Sequence, residues 1–143
     1  MKYIFLNDKF YNEHTQDKYP QLELKQKRPY IHIQIEKDGQ KFALPLRSNI
    51  SHPYAFLTDR ANQCGVDYSK AVPITDDDID TAKPFIRPNE HKKLIGKEYR
   101  IKKGFEKYIQ TYINALSDKK YEHRKEILAY SSLQYFHEEL GIK

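Results

Sequence analysis

The stretch from Tyr30 to Leu46 constrains the fold more than any other part of the chain. Ile31, Ile33 and Ile35 alternate with Tyr30, His32 and Gln34, the two-residue period of a strand with one apolar face. Lys37-Asp38-Gly39-Gln40 then supplies an Asp-Gly turn, and Lys41 to Leu46 resumes an apolar run. The two segments predict a β-hairpin. Pro45 removes a ladder donor near the end of the second strand, which puts it at an edge, a bulge or the exit, so the chain is expected to leave the sheet near Arg47.

Around the hairpin the pattern predicts a first strand over Lys2 to Leu6, an irregular polar segment from Asn7 to Pro20, and a further strand over Val66 to Ile74. Asn89, after Pro88, caps a predicted helix running to about Leu116, in which Phe105, Tyr108, Ile109, Tyr112, Ile113 and Leu116 recur at helical spacing as core. Gly96 and Gly104 are the places where it is expected to break. Glu122 to Ala129 reads as another helix, and Ser131-x-x-Gln134 as a capping box opening a last one that ends at Gly141. Strands first and helices later make the class α+β. The length of 143 residues suits a single domain, 1–143.

Charge is unevenly placed. Between Lys92 and Lys103, six cations (Lys92, Lys93, Lys97, Arg100, Lys102, Lys103) meet one acid, Glu98, an excess equal to the net charge of +5 for the whole chain. A solvated helix face is the ordinary fate of such a stripe. An isoelectric point near 9.1 and 12 tyrosines point instead to an acidic, single-stranded partner, because phosphates attract cations and rings stack on unpaired bases. Asp76, Asp77, Asp78 and Asp80 lack the glycine and distal glutamate of a calcium loop; after Thr75 they read as a solvated helix start. The single Cys64 gives neither a disulfide nor a zinc-ligand spacing, and the six histidines include no H-x-x-x-H pair. No metal ligand and no cofactor is expected. Nucleotide-binding glycine motifs and a G-x-S-x-G elbow are missing. No apolar run approaches a membrane span and the start is too short for a signal segment, so a cytoplasmic location is expected.

The densest polar constellation is Arg47-Ser48-Asn49-Ile50-Ser51-His52-Pro53, directly after the hairpin. A surface loop capping its own turns is the plain alternative. Together with Arg28-Pro29-Tyr30, the Phe42 to His52 run, Gly65-Val66-Asp67-Tyr68-Ser69-Lys70-Ala71-Val72 and Tyr130-Ser131-Ser132-Leu133-Gln134-Tyr135-Phe136, the chain resembles the type III toxin-antitoxin endoribonucleases. That is the ToxN, AbiQ, CptN and TenpN group, and TenpN is nearest. The resemblance spans nearly the whole chain and is most specific in the Pro-Leu-Arg-Ser stretch. It implies a compact, strongly twisted antiparallel sheet flanked by helices, similar to the MazF and Kid toxins. It also implies metal-independent RNA cleavage, and inhibition by a repetitive, structured antitoxin RNA, expected to fold as a pseudoknot, which the enzyme also processes. A protein–RNA hetero-oligomer would follow.

Carried over residue by residue, the family's serine falls on Ser48, the preceding polar position on Arg47 and the upstream basic residue on Arg28. ToxN has a lysine two residues past the serine where this chain has Ile50, which makes His52 the nearest titratable substitute. Attack of a ribose 2′-OH on the adjacent phosphate requires a proton acceptor, charge neutralisation and a proton for the leaving 5′-oxygen. An imidazole serves either transfer near neutral pH, guanidinium forks suit phosphate, and Ser48 would orient the 2′-OH or donate to phosphate. His32 is a candidate second imidazole or a strand bystander. Tyr30, Lys70, Lys93, Lys97, Arg100, Lys102 and Lys103 are the expected RNA contacts, with Lys97, Arg100 and Lys103 holding antitoxin phosphates. The alternative is a noncatalytic RNA-binding domain gripping backbone.

Overall fold

A computed structural model describes residues 1–22 and 30–142. Arg28 and Pro29, part of the resemblance, lie outside the described residues. Among the described residues six strands form one antiparallel sheet: β1 (Tyr3–Ile4), β2 (His32–Lys37), β3 (Gln40–Arg47), β4 (Ala55–Asp59), β5 (Cys64–Asp67) and β6 (Val72–Ile74). Four α-helices are described, α1 (Asp8–Glu13), α2 (Pro88–Leu94), α3 (Glu98–Ser117) and α4 (Arg124–Tyr130). The class is α+β, as expected.

The hairpin forms in the register its alternation dictates, with Ile33 opposite Leu44 and Ile35 opposite Phe42. β3 is the central strand. Its other edge pairs with β6 through Lys41 to Ala43 and with β5 through Leu46 and Arg47. Pro45 falls in the gap between those two ladders. Because Leu46 N–H donates to Ile31 O on the β2 side at 2.8 Å, alternation turns the donorless Pro45 nitrogen toward that gap, where no ladder bond is lost.

Two apolar layers sandwich the sheet. On one face Ile33, Ile35, Phe42, Leu44 and Val66 pack against Ile101, Phe105, Tyr108, Ile109 and Tyr112 of α3, and each fully buried large side chain contributes roughly 1.5–3 kcal/mol. On the other, Ile4, Ala43, Val72 and Ile74 meet Phe10, Tyr11, Leu22 and Phe136.

Several expected elements differ. The segment Asn7 to Pro20 is not irregular throughout, for Asn7 Oδ1 accepts from Phe10 N–H at 3.0 Å and opens α1. A helix this short persists through packing, with Phe10 and Tyr11 buried. The predicted Asn89–Leu116 helix is two helices separated at Gly96, whose φ of +77° is left-handed. The predicted strand Val66–Ile74 is interrupted by a 3-10 turn at Tyr68–Lys70, because Asp67 caps Ser69 N–H. Thr75 and Asp78 do cap, but the element is a 3-10 turn over Asp76–Asp78. The Ser131-x-x-Gln134 box does not close: Ser131 Oγ accepts from Leu133 N–H, while Gln134 Nε2 donates to the carbonyls of Ala129 and Ser131. Only a 3-10 turn, Ser132–Tyr135, follows. Strand β4 carries no strong pattern and was not expected.

Candidate functional site

The site grows from the exit of β3. Arg47 pairs with Gly65 of β5, which has no side chain to intervene, and Asp67 shares the Gly65 face two residues on. Arg47 therefore reaches diagonally across the ladder, and its Nη1 donates to Asp67 Oδ2 at 2.5 Å. Asp67 is fully buried. Its Oδ1 accepts from Ser69 N–H at 2.9 Å and from Ser69 Oγ at 2.6 Å. Burial pushes the Asp67 carboxyl up, but hydrogen bonds from His52 and Ser69 and the neighbouring positive charge of Arg47 outweigh it, leaving its pKa below the ordinary value. The Arg47 guanidinium also lies over the Tyr30 ring, 5.9 Å from its centroid.

His52 completes the cluster. Tyr54 N–H donates to its Nδ1 at 3.0 Å, so the other nitrogen, Nε2, carries the proton and lies 3.1 Å from Ser69 Oγ and 3.2 Å from Asp67 Oδ1. Both ring nitrogens are engaged.

Arg47, His52 and Ser69 border a pocket of about 510 Å³, which Lys70, Glu126 and Tyr130 also line. Lys70 is 9 % exposed, and its Nζ donates to Tyr130 O at 2.8 Å. Tyr108 donates to Ser131 Oγ at 2.6 Å, and burial raises its pKa, so its phenol stays a neutral donor. Tyr130 is 61 % exposed and offers a ring at the pocket. Glu126 adds a carboxylate there.

Of the expected site residues, Arg47, His52 and Lys70 gather at this pocket, and Tyr30 backs Arg47. Ser48 does not line it; its side chain is exposed, just before Asn49 in left-handed conformation (φ +56°). Ile50, standing where the resembled family has lysine, is buried at 3 % exposure and anchors the loop. His32 is buried away from solvent, and burial pushes its imidazole down to about 4 despite a hydrogen bond to Tyr30 O. It is neutral at physiological pH.

The basic stripe divides at Gly96. Lys93 sits on α2, Lys97 caps α3, and Arg100, Lys102 and Lys103 follow on α3. Lys103 is ion-paired with Glu106 at 3.4 Å and lies over Tyr99. None of these lines the Arg47 pocket. The sequence did not mark Asp67, Ser69 or Glu126 as site groups; Asp67 and Ser69 entered only within the Gly65–Val72 run of the resemblance. Ser131, read as a cap, both caps and lines the pocket.

Among the described residues no three His, Cys, Asp or Glu side chains gather as metal donors, and no helix is long and apolar enough to cross a membrane. No family model, curated protein or solved structure matches the chain.

Proposed function

We propose that the chain is an endoribonuclease, the toxin of a type III system, that cleaves single-stranded RNA without a metal and is held inactive by a repetitive, structured antitoxin RNA. A strongly twisted sheet of the MazF and Kid kind, and the hetero-oligomer with antitoxin RNA, belong to the same proposal. The observation that carries it is the convergence of Arg47, Lys70 and His52 on one pocket, with buried Asp67 fixing Arg47 and facing His52. Two cations there suit a phosphate whose charge grows in the transition state. The 2′-oxygen bonds to phosphorus as its proton passes to a base, and the bond to the 5′-oxygen breaks as that oxygen takes up a proton. The products are a 2′,3′-cyclic phosphate and a 5′-hydroxyl. His52 is the imidazole available for one transfer.

One observation favours the second reading, a noncatalytic RNA-binding domain: both nitrogens of His52 are already hydrogen-bonded. Incubating the purified protein with several single-stranded RNAs in EDTA separates the two. Cyclic phosphate and 5′-hydroxyl ends are expected; intact RNA throughout would sink the enzyme reading and leave the binding one. RNA recovered with natively purified protein tests the antitoxin partner.

A further inference from the structure

A second concavity, of about 420 Å³, shares the Tyr54 and Tyr108 side chains with the Arg47 pocket. One wall is a single face of α3, where Arg100, Gly104, Lys107 and Thr111 follow one another at steps of four, three and four residues. The other wall is the chain entering β4, with Tyr54 and Phe56, and Tyr68 also lines the space. Rings therefore border a groove that carries two cations. Neither Arg100 nor Lys107 has an ion-pair partner among the described residues, in contrast to Lys103, which Glu106 neutralises. Both are exposed.

Aromatic faces beside uncommitted cations suit a nucleotide, its base against a ring and its phosphate against the charges. The shared Tyr54 and Tyr108 make the two pockets neighbours, so one strand can occupy both. We propose that this concavity is a nucleotide subsite for the residue next to the cleavage point, with the base on Tyr54 and Phe56 and a phosphate between Arg100 and Lys107. The inference rests on the RNA reading above but needs no turnover.

The test uses the full-length protein and a 2′-O-methyl hexanucleotide carrying 2-aminopurine, which cannot be cleaved for want of a free 2′-OH. Binding to wild type is expected to quench the fluorophore by stacking. Arg100→Gln/Lys107→Gln should weaken binding and flatten the slope of log affinity against log salt by about 0.7, the share of the one single-strand phosphate the two cations hold together. Phe56→Leu should lose most of the quenching and keep the slope. An unchanged slope in the double variant, or a changed slope with no quenching in wild type, would overturn the subsite. Since the probe reports binding alone, failure of RNA cleavage in EDTA is a separate result.

Discussion

Arg47 Nη1 and Asp67 Oδ2 meet at 2.5 Å across the β3–β5 ladder, and the carboxylate is fully buried. Replacing the carboxylate by an amide breaks this ion pair at a guanidinium side chain that is only 15 % exposed. Breaking such a pair costs roughly 3–5 kcal/mol. Asp67→Asn should lower unfolding stability by that order in urea titrations at pH 7, and a loss below about 1 kcal/mol would show that Arg47 does not depend on the pair. The Asp67 pKa is depressed, so its stabilisation is present above the ordinary carboxylate range and disappears as pH falls through the lowered value.

His32 predicts a different pH window. Its imidazole is buried and neutral down to about 4, whereas in the unfolded chain it titrates near 6.5. Between those values the unfolded state binds more protons, so stability rises with pH across the window. Going from pH 7 to 4 should cost about 3 kcal/mol through this group alone. His32→Gln should be less stable at pH 7 but lose correspondingly less on acidification. Equal acid losses in the two proteins would refute the assignment.

At Gly104 two effects oppose. Alanine is preferred to glycine inside a helix by about 1 kcal/mol, yet a Cβ at this position would overlap the Tyr68 hydroxyl and lie 2.8 Å from its ring carbon Cζ. Tyr68 is 5 % exposed and has little room to retreat, and overpacking costs about 1–3 kcal/mol. Gly104→Ala should therefore be destabilising, and less so in a Tyr68→Phe background. A rise in melting temperature for the single variant would show that the helix gives way instead.

What the sequence disclosed follows the range of each signal. The hairpin is written in adjacent residues, so its register was legible from alternating isoleucines and one Asp-Gly turn. α1 was hidden because Phe10 and Tyr11 acquire meaning mainly against Val72 and Phe136, which are distant in sequence. Arg47 and His52 stood out as a local cluster. Asp67 and Ser69 did not, since twenty residues and a strand pairing separate Arg47 from its carboxylate. Pocket lining by Tyr108, Glu126 and Tyr130 depends on how α3 and α4 dock, which helical spacing leaves open.

The two serines offer a comparison between resemblance and geometry. Ser48 is exposed and away from the pocket lining, whereas Ser69 is 6 % exposed, lines the pocket and bonds both Asp67 and His52. Ser69→Ala is expected to slow cleavage of a short single-stranded RNA by about tenfold or more, equivalent to about 1.4 kcal/mol. Ser48→Ala should stay within about twofold of wild type on the same ground, a side chain outside the pocket. The reverse ranking would return the catalytic hydroxyl to Ser48, as the resemblance implies.

His52 decides between a proton-transfer role and a positioning role. As folded, its Nδ1 lone pair accepts Tyr54 N–H and its Nε2 proton faces Asp67 and Ser69, so taking a proton from a 2′-OH requires the Tyr54 contact to open. Glutamine can set an amide donor where Nε2 stands and preserve the bond to Asp67, while asparagine can accept from Tyr54 N–H in place of Nδ1; neither moves a proton near neutral pH. If His52 transfers the proton, both variants should lose about 10²–10⁴-fold in turnover, with His52→Gln keeping its affinity for the uncleavable 2′-O-methyl probe. His52→Gln should also lose one limb of the pH–rate profile. Retention of turnover within about tenfold in His52→Gln, with a collapse only in His52→Asn, would make His52 a positioning residue for Asp67 and pass the proton to Lys70 or Glu126, which also line the pocket.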